Sequence, residues 1–167
     1  MTQLAQITQV EQTYNINTNL QSLLSSQNNA GSISSVSFIG KQVTAQGSQF
    51  TQTSGSPSTL GFTLPSDAAQ VSMQISDASG SKVRTLTQGP TSAGAGSMVW
   101  DGLNDAGQTL PTGTYSFAVA GTDATGQTIQ GTTLVQGQVT GVNLSGTTPV
   151  LTVNGQSVPI TSIVAVR

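Results

Sequence analysis

Cysteine and histidine are both absent from this 167-residue chain, and its only basic residues are Lys41, Lys82, Arg84 and Arg167. Without thiols there can be no disulfide and no thiol nucleophile. Without imidazole there is no base of that kind, and with both missing there is no zinc site of the usual ligand types. Four scattered cations cannot make the basic stripe that neutralises phosphates, so nucleic-acid binding is excluded as a reading. Charged residues are 6% of the chain, against about 25% in an ordinary soluble domain. A net charge of -2 is too small to drive the self-repulsion typical of disordered chains. No apolar run approaches the ~20 residues of a membrane span, so membrane insertion is not expected. Residues 1–30 have neither the positive n-region nor the apolar h-region of a cleaved signal peptide. The residues point to no catalytic group, metal site or cofactor, and an enzyme is not expected.

What fills the chain instead is Ser, Thr, Gln, Asn and Gly, punctuated by short apolar clusters. Over residues 1–30 these clusters have helical spacing. Leu4, Ile7, Val10 and Tyr14 recur at i+3 and i+4, followed by Ile16, Leu20, Leu23 and Leu24, with no Pro or Gly before Gly31. The spacing predicts an amphipathic N-terminal α-helix over 1–30. Its stripe Leu4, Ile7, Val10, Tyr14, Leu20 and Leu24 must be covered, either by the chain's own β-body or by further copies of the helix.

From Ile33 onward the pattern has period two. Val36 to Ala45 reads as a strand interrupted at Gly40. Thr51 to Thr59, with Ser54-Gly55-Ser56-Pro57, reads as a linker that gives hinge freedom. Val71 to Ile75 alternates cleanly. Strands are also expected at Thr133 to Val135, Gln138 to Val142, Val150 to Val153 and Ile160 to Val166, with Asn154-Gly155 the strongest hairpin signal. The central strands and turns fit a small sandwich over 57–129. The flanks 31–56 and 130–167 are each too short to bury a sheet alone, so they are expected to pair into one β-barrel that the sandwich interrupts. The fold class is therefore mainly β, with a helix in front.

One phrase occurs three times: Asp77-Ala78-Ser79-Gly80-Ser81-Lys82-Val83, Asn104-Asp105-Ala106-Gly107-Gln108-Thr109-Leu110 and Asp123-Ala124-Thr125-Gly126-Gln127-Thr128-Ile129. Asp or Asn opens it to accept backbone N–H groups, and Gly sits fourth to supply positive φ. The copies start 27 and 19 residues apart (104 − 77, 123 − 104), so they are shared turns and not a solenoid repeat. Asp101, Asn104 and Asp105 put three oxygen side chains in one loop, but the spacing misses the EF-hand and no Glu follows. That loop is read as a turn, with Trp100 as the buried anchor of the sandwich. Asp101 and Asp105 are likewise set aside as a glycosidase pair, because no aromatic-rich cleft accompanies them. Lys82 and Arg84 flank Val83 and are expected on a solvent face, where charge discourages edge pairing.

Several of these segments, taken in order, resemble the flagellar hook-capping (FlgD) family. They are Phe38 to Val43, Ile75 to Arg84, Trp100-Asp101-Gly102 through Gly107 to Pro111-Thr112-Gly113-Thr114-Tyr115, Gly137 to Val142, Asn154-Gly155 and Ile163 to Val166. The opening Gln3 to Ile7 is similar to that family's helical segment. The resemblance implies a Tudor-like barrel interrupted by a fibronectin-III-like, immunoglobulin-like sandwich, with Trp100, Asp101, Gly102, Gly107, Pro111, Gly113 and Tyr115 as turn and core residues. It also implies a non-enzymatic, homo-oligomeric cap on the growing flagellar hook. The partners implied are copies of the chain, hook subunits and the flagellar type III export machinery, with export through the flagellar channel to the hook tip. In that family a longer arm precedes the matching helix, so the sequence is expected to begin inside it. The alternative is an immunoglobulin-like surface adhesion or carbohydrate-binding module.

Overall fold

Period-two burial turns the apolar clusters into strands: along Gln70–Ser76, Val71, Met73 and Ile75 are buried, while Ser72, Gln74 and Ser76 are not. The computed structural model describes residues 11–21, 35–146 and 148–167. Its strands run β1 (Gln42–Gln46), β2 (Gln49–Gln52), β3 (Ser58–Leu64), β4 (Gln70–Ser76), β5 (Lys82–Gln88) and β6 (Gly94–Trp100). They continue with β7 (Gly113–Thr122), β8 (Thr128–Gln130), β9 (Thr132–Asn143), β10 (Val150–Val153), β11 (Gln156–Pro159) and β12 (Ile163–Val166). Residues 11–21 are helical. The chain is mainly β, with the helix in front.

One sheet has the order β2-β7-β4-β5, with β8 also on β7. The other runs β11-β10-β9-β1-β12, with β3 and β6 attached through β9. Its five terminal strands form a half-barrel, and a 3-10 turn at Ile160–Ser162 leads from β11 into β12. Two cores result. Trp100, Phe62, Leu64, Met73, Ile75, Tyr115 and Phe117 are among the side chains of the immunoglobulin-like sandwich core. Val43, Ala45, Val139, Leu151, Val153 and Val158 fill the half-barrel.

Strand β9 belongs to both. One edge pairs with β1 from Leu134 to Gln138. The other edge pairs first with β3, at Thr132 to Leu134, and then with β10, at Val139 to Asn143. Val135 packs against both cores. The second crossing is two residues long, Gly47-Ser48, between β1 and β2. It is tied down by Gly47 N–H donating to Thr133 O (3.2 Å) and Phe117 N–H donating to Ser48 O (2.9 Å).

Several expectations change. Thr51 to Thr59 is not a linker, since Gln49–Gln52 is strand β2 on β7 and only residues 53–57 turn between β2 and β3. Both strands belong to the sandwich, so that turn cannot act as a hinge to the half-barrel. Gln49–Gln52, expected in the barrel flank, lies in the sandwich sheet. Val36 to Ile39 is not strand: the chain turns there, Lys41 N–H donates to Phe38 O (2.9 Å), and Gly40 takes φ +83°. Thr133 to Val135 and Gln138 to Val142 are one strand. Gln156–Pro159 is a strand that the sequence pattern passed over.

If Val135 links the cores, Val135→Ala should lower the unfolding free energy by about 1–2 kcal/mol. The same truncation at Val99, 62% exposed, should stay within about 0.5 kcal/mol. Urea denaturation followed by far-UV circular dichroism measures both, and equal losses would place Val135 outside any shared packing.

Candidate functional site

The three repeated phrases fold into one turn, made three times. Asp77 Oδ1 accepts the N–H of Ser79 and of Ser81, both at 2.9 Å. Asn104 Oδ1 accepts those of Ala106 and Gln108, at 3.0 and 2.9 Å. Asp123 Oδ1 accepts those of Thr125 and Gln127, at 2.8 and 2.9 Å. In each, the first residue's backbone N–H donates to the carbonyl four residues on, and Gly80, Gly107 or Gly126 donates back to the first carbonyl. These glycines have φ of +82°, +74° and +88°, a left-handed backbone that a Cβ disfavours. The middle copy does the same work with a neutral amide, so the turn needs an oxygen acceptor and not a charge.

Hydrogen bonding to the charged form holds the Asp77 carboxyl below the ordinary value of 3.8, chiefly through the Ser79 hydroxyl and then the Ser81 N–H. Asp123 is held down in the same way, first by the Thr125 hydroxyl and then by the Gln127 N–H.

The Trp100 to Tyr115 segment organises one end of the sandwich. Trp100 is fully buried and stacks edge-on against Tyr115 and Phe50, with ring centroids 5.2 and 5.8 Å away. Its indole N–H donates to Leu103 O (2.9 Å). Asp101 Oδ1 accepts Leu103 N–H (3.0 Å). The Tyr115 hydroxyl donates to Pro111 O (3.0 Å), the corner contact of immunoglobulin-like sandwiches. Burial, with Asp77's charge second, pushes the Tyr115 pKa up and keeps that donor protonated. Gly102 has φ +78°, and a Cβ there would lie 2.7 Å from Gln52 Nε2. Gly113 pairs with Gln52 but has ordinary space around it, so nothing in its surroundings demands glycine.

Gln52 escaped the sequence reading. Its side chain is wholly buried, donates to Thr53 O and Ser56 O at 3.1 and 2.5 Å, and accepts the Ser58 hydroxyl. A fully satisfied buried amide of this kind fixes the β2–β3 turn against Gly102. No periodicity marks such a residue in advance.

The loop after β6 also covers the edge of β5. Asp105 N–H donates to Val83 O (3.0 Å), and Thr85 N–H donates to Asp105 Oδ1 (3.1 Å). Arg84 lies over the loop, its Nη1 donating to Asn104 O (2.8 Å) and its Nη2 3.5 Å from Asp101 Oδ2. This corrects the expectation of a free solvent-facing Arg84: β5 is blunted by a docked loop as well as by charge.

Of the proposed helix stripe, Leu4, Ile7, Val10 and Leu24 lie outside the described residues. Tyr14 and Leu20 are in the helix and 72% and 51% exposed, as is Ile16 at 52%. At roughly 100° per residue, Ile16 stands about 200° round from Tyr14, and Leu20 about 40° beyond Ile16. The helix therefore presents apolar side chains on two faces, and Tyr14 and Leu20 do not share one line.

A cleft between β2, β3, β9 and the β10–β11 hairpin holds about 130 Å³. That is below the ~300 Å³ at which small-molecule sites begin. Among the described residues the sandwich aromatics Phe62, Trp100, Tyr115 and Phe117 are buried, and Phe50 is half-buried against them at the wall of that cleft.

The family model for the FlgD Ig-like domain matches residues 47–125. The chain is 33% identical over 153 residues to the basal-body rod modification protein FlgD of Salmonella typhimurium, covering 85% of this chain and 66% of that protein. The Escherichia coli K12 protein of the same name is also 33% identical, over 150 residues, with 83% and 64% covered. The chain thus spans just under two thirds of the length of these curated relatives. Crystal structures of FlgD from P. aeruginosa and Xanthomonas campestris share the fold, with TM-scores of 0.68 and 0.69 at 24% identity. They cover 78% and 81% of this chain and 98% of each crystallised chain. The Xanthomonas structure was described as giving insights into the hook capping essential for flagellar assembly.

The acid limb of stability should report the repeated turns. Folded-state values below the unfolded 3.8 mean that the stabilisation is complete above that pH and is lost as pH falls through the lowered values. Asp77→Asn with Asp123→Asn should keep the fold, as Asn104 shows, and flatten the fall of Tm below pH 3.8. Thermal melts of both chains between pH 2 and pH 7 check this, and parallel acid limbs would contradict it.

Proposed function

This chain belongs to the FlgD family, and on that premise we propose that it is a non-enzymatic scaffold that caps the growing flagellar hook and promotes the polymerisation of hook subunits beneath it. The observation that carries the reading is similarity over 85% of the chain at 33% identity to a protein named for basal-body rod modification. The hook capping named for the Xanthomonas relative supports the specific role.

The geometry supports a scaffold. A helix whose apolar residues lie exposed on two faces gains little by itself, and neighbours on both sides would bury it. Copies of the chain therefore associate through the helix, with Leu4, Ile7, Val10, Tyr14, Leu20 and Leu24 in the contact. The β-bodies form a rim around that bundle. Hook subunits arrive through the flagellar type III channel and fold under the rim, at the distal tip of the hook. A surface of hydroxyls and amides lets successive subunits pass without strong charge capture. The chain itself reaches the tip by the same export route.

Deleting the gene should give cells without hooks that leak hook protein into the medium, restored by the full-length gene. Electron microscopy and immunoblotting of the medium read this out. Normal hooks in the deletion strain would remove the capping role. In the full-length protein, changing Leu4, Ile7 and Val10 together to Ser should shift sedimentation from the oligomer toward the monomer. An unchanged oligomer would place the self-contact elsewhere.

A further inference from the structure

The half-barrel does not close. Among the described residues β11 pairs with β10 alone, and the opposite wall of the seam is the β1–β2 crossing, Gln46 to Gln49. The Asn154-Gly155 hairpin decides which groups of β11 look into that seam. Val153 faces Gln156 across a two-residue turn, so that pair exchanges both backbone hydrogen bonds. The next pair, Thr152 and Ser157, does not, while Leu151 and Val158 do again. Ser157 N–H and C=O therefore point away from β10, and no backbone hydrogen bond of the described residues takes them, whereas Pro159 C=O caps the 3-10 turn at Ile160–Ser162. Pro159 stands where an N–H would have pointed outward, so its ring costs no ladder bond.

Two adjoining cavities of about 130 and 200 Å³ fill the seam, sharing Gln49, Val135 and Gln156 in their walls. Among the described residues no charged side chain lines either one. The Asn154 amide is engaged, donating to Gln136 O (2.8 Å). The carboxamides of Gln49, Gln136 and Gln156 have no partner among the described residues. Each can give and accept a hydrogen bond at once, the pairing that a peptide group offers.

We propose that this seam takes an extended, uncharged segment of the hook subunit as an added strand on β11. The proposal rests on the function proposed above. Free backbone groups on a strand edge select an extended partner, and pockets beside them select its alternate side chains. Walls without charge favour a neutral segment, since a buried charge there would find no counter-ion. The narrow cavities admit a strand and not a folded domain. A hook subunit that folds beneath an assembled cap presents such a segment before its own strands pair, whereas the copies of this chain in that cap already have theirs paired.

The test uses the 15N-labelled full-length protein and overlapping 15-residue synthetic peptides spanning the hook protein of the same organism. One or a few weakly charged peptides should shift the amides of Ser157 and Gln156 and slow hydrogen exchange at Ser157. Ser157→Pro removes the outward N–H at an edge that already tolerates proline. It should weaken binding about five- to tenfold, the worth of one hydrogen bond, with the rest of the spectrum unmoved. Should that variant misfold, Gln49→Ala with Gln156→Ala carries the same expectation. Shifts confined to β6 or to helix 11–21, unaltered binding in both variants, or no binding by any peptide would overturn the seam. The two readings separate in cells. A hookless deletion strain fully restored by Ser157→Pro overturns the seam alone, and normal hooks in the deletion strain overturn the capping function.

Discussion

Everything in the β-body depends on β9 being hydrogen-bonded on both edges to different partners. Along one edge it holds β1, and along the other it passes from β3 to β10. Neither the sandwich nor the half-barrel could lose that strand and keep its sheet. Gly137, in the middle, lies beneath the Asn154 side chain, where a Cβ would collide. The hairpin tip is thereby pressed onto the shared strand close to Val135. Two small cores, which separately would be marginal, are joined by one continuous ladder and one two-residue crossing.

With so few charges, this chain builds its turns from oxygen acceptors. Asp77, Asn104 and Asp123 each gather two backbone N–H groups into one side-chain oxygen. The middle turn then docks its Asp105 on the edge of β5. The single ion pair among the described residues, Arg84 with Asp101, is long and half exposed, and such pairs contribute little. Arg84 matters more for the backbone carbonyl of Asn104 that it holds.

Much of this was legible in the residues. Alternation gave β4, the Asx-to-Gly phrases gave three turns, and Asn154-Gly155 gave the β10–β11 hairpin. Resemblance gave the family, and with the pattern of flanks and insert it gave a sandwich interrupting a barrel, which in the structure is only half closed. What stayed hidden had physical causes. Strand β2 has one apolar residue in Gln49–Gln52 and stands beside turn-forming Ser54-Gly55-Ser56-Pro57, so it read as linker. Val36 to Ile39 has the composition of a strand, yet Gly40's positive φ turns it away from the ladder. Gly137 made β9 look like two strands, because the close approach of Asn154 that requires glycine is a tertiary fact. Gln52 is buried against its polarity, and only the carbonyls and hydroxyl around it explain that.

Strand β9 couples the two halves into one unfolding unit. The most direct measurement follows urea unfolding of the chain by Trp100 fluorescence, which reports the sandwich, and by native-state amide exchange at Leu151 and Val153, which reports the half-barrel. Both probes should give the same opening free energy. A half-barrel that opens at lower urea while Trp100 stays buried would contradict it and make β9 a tether between independent parts.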